Sequence, residues 1–134
     1  MNQYKINLSP KSRGFHIITE EILSQLDPLP SKGLIHLFIQ HTSAGICINE
    51  NADPTVLSDM NEWFNRNVKE NEAYYQHTFE GPDDMPAHIK SIITGCEVTI
   101  PIVDGRLGLG IWQGIYLAEF RNKANSRSLI ASIY

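Results

Sequence analysis

No part of the sequence approaches the roughly 18 consecutive apolar residues that a membrane-spanning helix requires, so that class of protein is excluded. Cysteine is scarce. The two present, Cys47 and Cys96, form no Cys-x-x-Cys pair, and their apolar, β-prone surroundings read as sites for buried free thiols. Positive charge is also in short supply: 11 Lys and Arg against 15 Asp and Glu give a net charge of -4, which argues against a general nucleic-acid binder. There is no Gly-Lys-Ser phosphate loop, no dinucleotide fingerprint and no Gly-x-Ser-x-Gly elbow. The opening Met1-Asn2-Gln3-Tyr4-Lys5 has neither the basic start and apolar core of a secretory leader nor the arginine-rich pattern of an organellar one, so the expected compartment is the cytoplasm. A length of 134 residues suits one domain, 1–134, able to bury a core without disulfides or a structural metal.

What is present reads mostly as strand. Gln3 to Leu8 alternates polar with apolar, and Phe15 to Ile18 is a second short strand after the Ser9 to Gly14 turn. Thr19 is a natural N-cap for a short helix with Glu20 and Glu21 in its first turn. Gly33 to Ile39 is so uniformly apolar that it predicts a strand covered on both faces, Leu34 and Phe38 on one and Ile35, Leu37 and Ile39 on the other. A polar bend at His41 to Gly45 follows, and Ile46-Cys47-Ile48 resumes the strand pattern.

Asp53-Pro54 then announces a helix, with Val56, Leu57, Met60, Trp63, Phe64 and Val68 spaced to form its apolar face. A second helix starts near Asp84-Met85-Pro86, runs through His88, Ile89, Ile92 and Ile93, and closes at Gly95. Val98 to Val103, with Pro101 marking an edge or bulge, Gly110 to Phe120 and Leu129 to Ile133 complete the strands, with Asp104-Gly105 as a hairpin turn. Strands dominate without β-α alternation. The expected fold is therefore mainly β, a two-sheet sandwich with two helical insertions.

Chemistry concentrates in three of the five histidines: His41 in Gln40-His41-Thr42-Ser43, His77 before Glu80-Gly81-Pro82-Asp83-Asp84, and His88 in Met85-Pro86-Ala87-His88-Ile89-Lys90. Three imidazoles from separate segments can supply three ligands to a tetrahedral metal and leave its fourth position open, although any one of them alone is more commonly structural. Asp83 and Asp84, or Glu50 and Asp53, could orient them or hold Mg²⁺ brought by a phosphorylated substrate, while helix capping is the simpler job for Asp53 and Asp84. Lys90, Ser91 and Arg106 are candidate phosphate contacts. Trp112-Gln113-Gly114 would offer a ring, an amide and a bare backbone in succession along a strand, suited to stacking a planar ligand or to core packing. Acidic residues crowd Glu50 to Asp84, and Lys90, Arg106, Arg121, Lys123 and Arg127 fall late; folding could bring these halves together in one cleft.

Taken together, Gln40-His41-Thr42-Ser43-Ala44, Asn49 to Pro54, the long run Glu80 to Ser91 and Gly110-Ile111-Trp112-Gln113-Gly114-Ile115 closely resemble the YjbQ family, which is associated with a secondary thiamine-phosphate synthase activity. The resemblance extends in order over nearly the whole chain. It implies a YjbQ-like β-sandwich, a homotrimer, and a site at His41, His77 and His88 that holds a divalent metal, zinc at the histidines or Mg²⁺ with a diphosphate substrate. Asp84 would orient those groups. The implied reaction joins hydroxymethylpyrimidine diphosphate to thiazole phosphate, so the expected partners are small phosphorylated metabolites, with neither nucleic acid nor membrane. Two positions depart from the family pattern: Ile111 where Thr is frequent, and Phe120 where His is frequent. Two other functions suit the same residues, a metal-dependent hydrolase or phosphotransfer enzyme, and a trimeric metabolite- or metal-binding protein with no chemical step.

Overall fold

Period-two alternation builds the larger sheet in the computed structural model, which describes residues 1–134. Its strands β1 (Asn2–Asn7), β3 (Lys32–Ile39), β5 (Glu97–Val103), β6 (Arg106–Leu107) and β8 (Ser128–Ile133) lie in the order β1-β8-β3-β5-β6, every neighbouring pair antiparallel. The smaller sheet has β2 (Gly14–Ile17), β7 (Gln113–Glu119) and β4 (Ala44–Glu50) in the order β2-β7-β4. Ile35, Leu37, Ile39, Ile100, Ile102, Leu129 and Ala131 from the first sheet meet Ile46, Ile115 and Leu117 from the second in one core. This is the expected sandwich.

The far face of the smaller sheet carries Phe15, Tyr116 and Ala118, and is covered by helices α2 (Pro54–Asn67) and α3 (Asp84–Thr94) through Leu57, Met60, Phe64 and Ala87. Strand β7 is thus buried on both sides. Phe120, just beyond β7, joins that layer with its ring 5.5 Å from Phe64 and 6.0 Å from Phe15, which accounts for a large apolar residue there. Asp53 caps α2 as predicted, its carboxylate accepting from Thr55 N–H at 2.9 Å with Pro54 in the first turn. Gly95 closes α3 at φ 104°, and Asp104 and Gly105 turn the β5–β6 hairpin at φ 51° and 75°.

Several expectations need correction. Strand β3 is covered on one face only: Ile35, Leu37 and Ile39 are buried, but Leu34 and Phe38 are exposed, because both helices of the second layer lie over the smaller sheet. On that open face His36 donates to Glu97 across 2.7 Å. Thr19 does not cap the short helix α1 (Thr19–Leu23); it lies inside it, and its hydroxyl instead accepts from Ile115 N–H at 2.9 Å. The strand expected from Gly110 begins only at Gln113, since Gln113 N–H closes a turn onto the Gly110 carbonyl at 3.0 Å. That turn leaves Trp112 exposed ahead of the strand. Trp63, read as core-facing, is exposed as well, and so are Ile92 and Ile93 on α3. Cys96 is an exposed thiol, whereas Cys47 is half-buried and its thiol is pushed up to about 11 by that burial.

Candidate functional site

Two adjacent carboxylates start α3, and both are buried, Asp84 to 1 % exposure. Neither caps the helix by a side-chain bond. Paired burial of like charges demands a cation, and Arg121, just after β7, supplies it: Nε donates to Asp83 Oδ2 at 2.9 Å and Nη1 to Asp84 Oδ1 at 2.5 Å, while Nη2 reaches the Glu80 carbonyl at 3.0 Å. Asn122 N–H also donates to Asp83 Oδ2, at 2.9 Å. Burial pushes both carboxyls up, yet these donors and charges outweigh it and hold both below the ordinary carboxylate range. Both residues therefore stay ionised.

The other oxygen of Asp84 gathers the histidines. Four residues along α3, His88 comes back over the helix start and places Nε2 3.0 Å from Asp84 Oδ2, and His77 reaches the same oxygen from the preceding loop at 2.6 Å. The two rings sit 5.2 Å apart, edge to face. His88 Nδ1 faces the Thr42 carbonyl at 2.9 Å. A carbonyl only accepts, so the single proton of a neutral His88 belongs on Nδ1, and Nε2 then points a lone pair at a carboxylate oxygen. That pairing is repulsive unless a cation sits between them, either a proton on the ring or a metal ion. One donor atom from each of His77, Asp84 and His88 lies within 4.8 Å of the other two, and a mixed nitrogen and oxygen set with an open side suits zinc. The residues present fit the metal.

His41 stands apart from this group. At the polar end of β3, its Nε2 accepts from Ser128 N–H at 2.8 Å, and its ring borders a cavity of about 340 Å³ together with Thr42, His88, Ser91, Ile92 and Cys96. Ser91 belongs to the same wall, its hydroxyl donating to the Thr42 carbonyl at 2.8 Å. On the other side of the centre, His77 borders a second cavity of about 190 Å³ with Tyr75, Thr78, Gly81 and Met85. The histidine pair therefore lies between two hollows.

The remaining candidates lie elsewhere. Lys90, with 1 % exposure, points under α3, where Nζ donates to Asn65 Oδ1 at 3.0 Å and sits 5.7 Å from the centre of the Phe120 ring; burial lowers its amine to about 8. It borders none of the cavities described above. Arg106 is on β6, paired with Val103 at the end of β5 opposite Glu97 and the site, and lines a groove with Leu23, Leu26, Leu29 and Leu107. Trp112 and Gln113 border a further hollow beside Ile48, Asn49 and Glu50, away from the histidines. The fold does not bring these residues to the centre.

Two arginines carry the support that single motifs do not reveal. Arg121 neutralises the Asp83–Asp84 pair, and Arg127 forms a bidentate pair with fully buried Glu119, Nε to Oε1 at 2.7 Å and Nη2 to Oε2 at 2.6 Å. Arg127 Nη2 also holds Ser43 Oγ at 3.0 Å, which fixes the bend carrying Thr42 and His41. The late basic residues set against an acidic middle were the available signal; the fold joins Arg121 to Asp83 and Asp84 as a direct ion pair rather than gathering the basic residues in one cleft.

The family described as "UPF0047 protein YjbQ-like" matches residues 4–134. The chain is similar to the UPF0047 protein YjbQ of Escherichia coli O157:H7, with 50% identity over 133 residues covering 98% of this chain and 96% of that one. Its fold is similar to the crystal structure of a conserved hypothetical protein from Thermus thermophilus, at a TM-score of 0.87 and 30% identity over 98% of this chain and 99% of the other. A Clostridium acetobutylicum structure described as an uncharacterized conserved protein of the yjbq/upf0047 family gives a TM-score of 0.81 at 34% identity, with 100% of both chains covered.

Proposed function

As the chain belongs to the YjbQ-like UPF0047 family, we propose that it is a cytoplasmic transferase of the thiamine-phosphate synthase type. It would join hydroxymethylpyrimidine diphosphate to thiazole phosphate: a carbon–nitrogen bond forms at the thiazole nitrogen, the carbon–oxygen bond to diphosphate breaks, and diphosphate leaves. The observation that carries this reading is the convergence of two imidazoles on one buried carboxylate between two cavities, room for two reactants on either side of one charged centre. His77, Asp84 and His88 would hold a divalent metal, zinc by donor type, with Mg²⁺ able to accompany the diphosphate. Bound there, such a cation would stabilise negative charge growing on the leaving diphosphate. Arg121 keeps Asp84 ionised for that task.

The protein would act as a homotrimer. The open outer face of the larger sheet, with Leu34 and Phe38, and the exposed Ile92 and Ile93 of α3 support association, since exposed apolar surface favours a protein partner.

The test is thiamine phosphate formation by the purified, zinc-supplied protein. His77→Ala and His88→Ala should each lose bound zinc and at least about 100-fold in rate while remaining folded and trimeric. Full activity in His88→Ala would sink the assignment. Phosphate-ester hydrolysis orders of magnitude faster than thiamine phosphate formation would point instead to a hydrolase, and tight binding without any turnover to a binding protein.

A further inference from the structure

The bond from Ser128 to His41 decides what the latter residue can do. A backbone N–H can only donate, so His41 Nε2 keeps its lone pair there, and the ring's one proton lies on Nδ1. Coordinating a metal through Nδ1 would then require an imidazolate or the loss of the Ser128 bond. Nδ1 itself has no partner within the chain, and it is not sealed away, because Arg13 Nε is the sole buried side-chain nitrogen or oxygen without one. Burial and the neighbouring Arg127 cation hold the imidazole below its ordinary range, against a weaker pull from Glu119, so the ring stays neutral near pH 7.

We infer that His41 is not a metal ligand but a neutral Nδ1–H donor in the wall of the 340 Å³ cavity, aimed at an oxyanion of the substrate bound beside the metal centre. This rests on the reading of His77, Asp84 and His88 as that centre. The cavity offers complementary chemistry: the Thr42 hydroxyl has no partner in the chain, Ser91 lies beside it, and Ile92 provides an apolar wall, while no lysine or arginine lines it. A phosphate or diphosphate there would meet neutral donors on one side and the metal on the other. Neutral donors of fixed orientation recognise an oxyanion without the added charge that would bind product tightly. Arg127 acts through His41 as a positioning residue, since it sits next to Ser128 and holds the Ser43 bend.

Two measurements on the full-length protein test this. Imidazole ¹⁵N shifts at pH 7 should show His41 with a lone pair on Nε2 and a proton on Nδ1; a proton on Nε2, or an imidazolium, would overturn the inference whether or not metal binds. In parallel, zinc and then inorganic diphosphate are titrated into wild type, His41→Ala, His41→Gln and His88→Ala. His41→Ala should bind zinc within about twofold of wild type yet lose about tenfold in diphosphate affinity, the size expected for one hydrogen bond to a charged group. His41→Gln, whose amide can still accept from Ser128, should remain folded and fall between them. Zinc loss in His41→Ala equal to that in His88→Ala would make His41 a ligand, and unchanged diphosphate affinity would remove it from the site. If wild type binds no zinc, the metal centre fails as a reading, whereas the ¹⁵N shifts and diphosphate titration of the metal-free protein still decide the role of His41.

Discussion

Replacing Arg127 by methionine should destabilise the protein severely, and the structure sets the scale. Glu119 is completely buried and Arg127 is 8 % exposed, so the pair gains little screening from water. Without the guanidinium, the carboxylate loses both charge-assisted bonds, at 2.7 and 2.6 Å, and keeps only the Arg121 N–H at 3.1 Å. Leaving one member of such a pair uncompensated costs about 3–5 kcal/mol. A domain of this size has about 5–15 kcal/mol in total. Replacing both partners removes the orphaned charge, so Arg127→Met with Glu119→Leu should recover most of the loss. Urea unfolding followed by circular dichroism measures both variants against wild type, with unchanged m-values required for the comparison. A loss below about 1 kcal/mol for Arg127→Met, or a double variant no more stable than the single, would refute the reasoning. The same substitution frees Ser43, so it should also blur the His41 tautomer even in the surviving folded fraction.

Arg121→Lys should weaken zinc binding although it preserves charge, since one ammonium cannot bond Asp83 and Asp84 at once as the guanidinium does; zinc affinity equal to wild type would show that planar geometry is unimportant there. Burial raises the Cys47 thiol from the ordinary 9.0 to about 11, so in that window the unfolded chain has lost a proton that the folded chain retains. This contribution is fully present below pH 9 and lost as pH rises to about 11, at a slope of at most about 1.4 kcal/mol per pH unit. Stability of Cys47→Ala measured by urea unfolding should fall less steeply over that range than wild type; parallel curves would show that the thiol is not shielded.

Local sequence chemistry made the α2 start, the Gly95 stop and the Asp104-Gly105 turn readable, because each depends on the conformational needs of one or two residues. Strand spacing likewise placed Ile35, Leu37 and Ile39 in the core. It could not say whether the opposite face of β3 had a cover, because an apolar run looks the same whether its neighbour lies in this chain or in another. Thr19 shows a similar limit: an N-cap signal lost to a backbone N–H from a strand 96 residues away. Lys90 was a candidate phosphate contact by type, and only the approach of Phe120 and Asn65 from distant segments buried it.

By itself the sequence determined the mainly β fold, the start of α2, the limits of α3 and the identity of the three histidine-bearing segments, since hydrophobic period and turn chemistry act over a few neighbouring residues. Only the tertiary structure decided that His77 and His88 share Asp84 while His41 turns to Ser128. Hydrogen bonds have direction and short reach. Which nitrogen of a histidine remains free depends on the atoms that folding sets within about 3 Å of it, a fact no single segment contains.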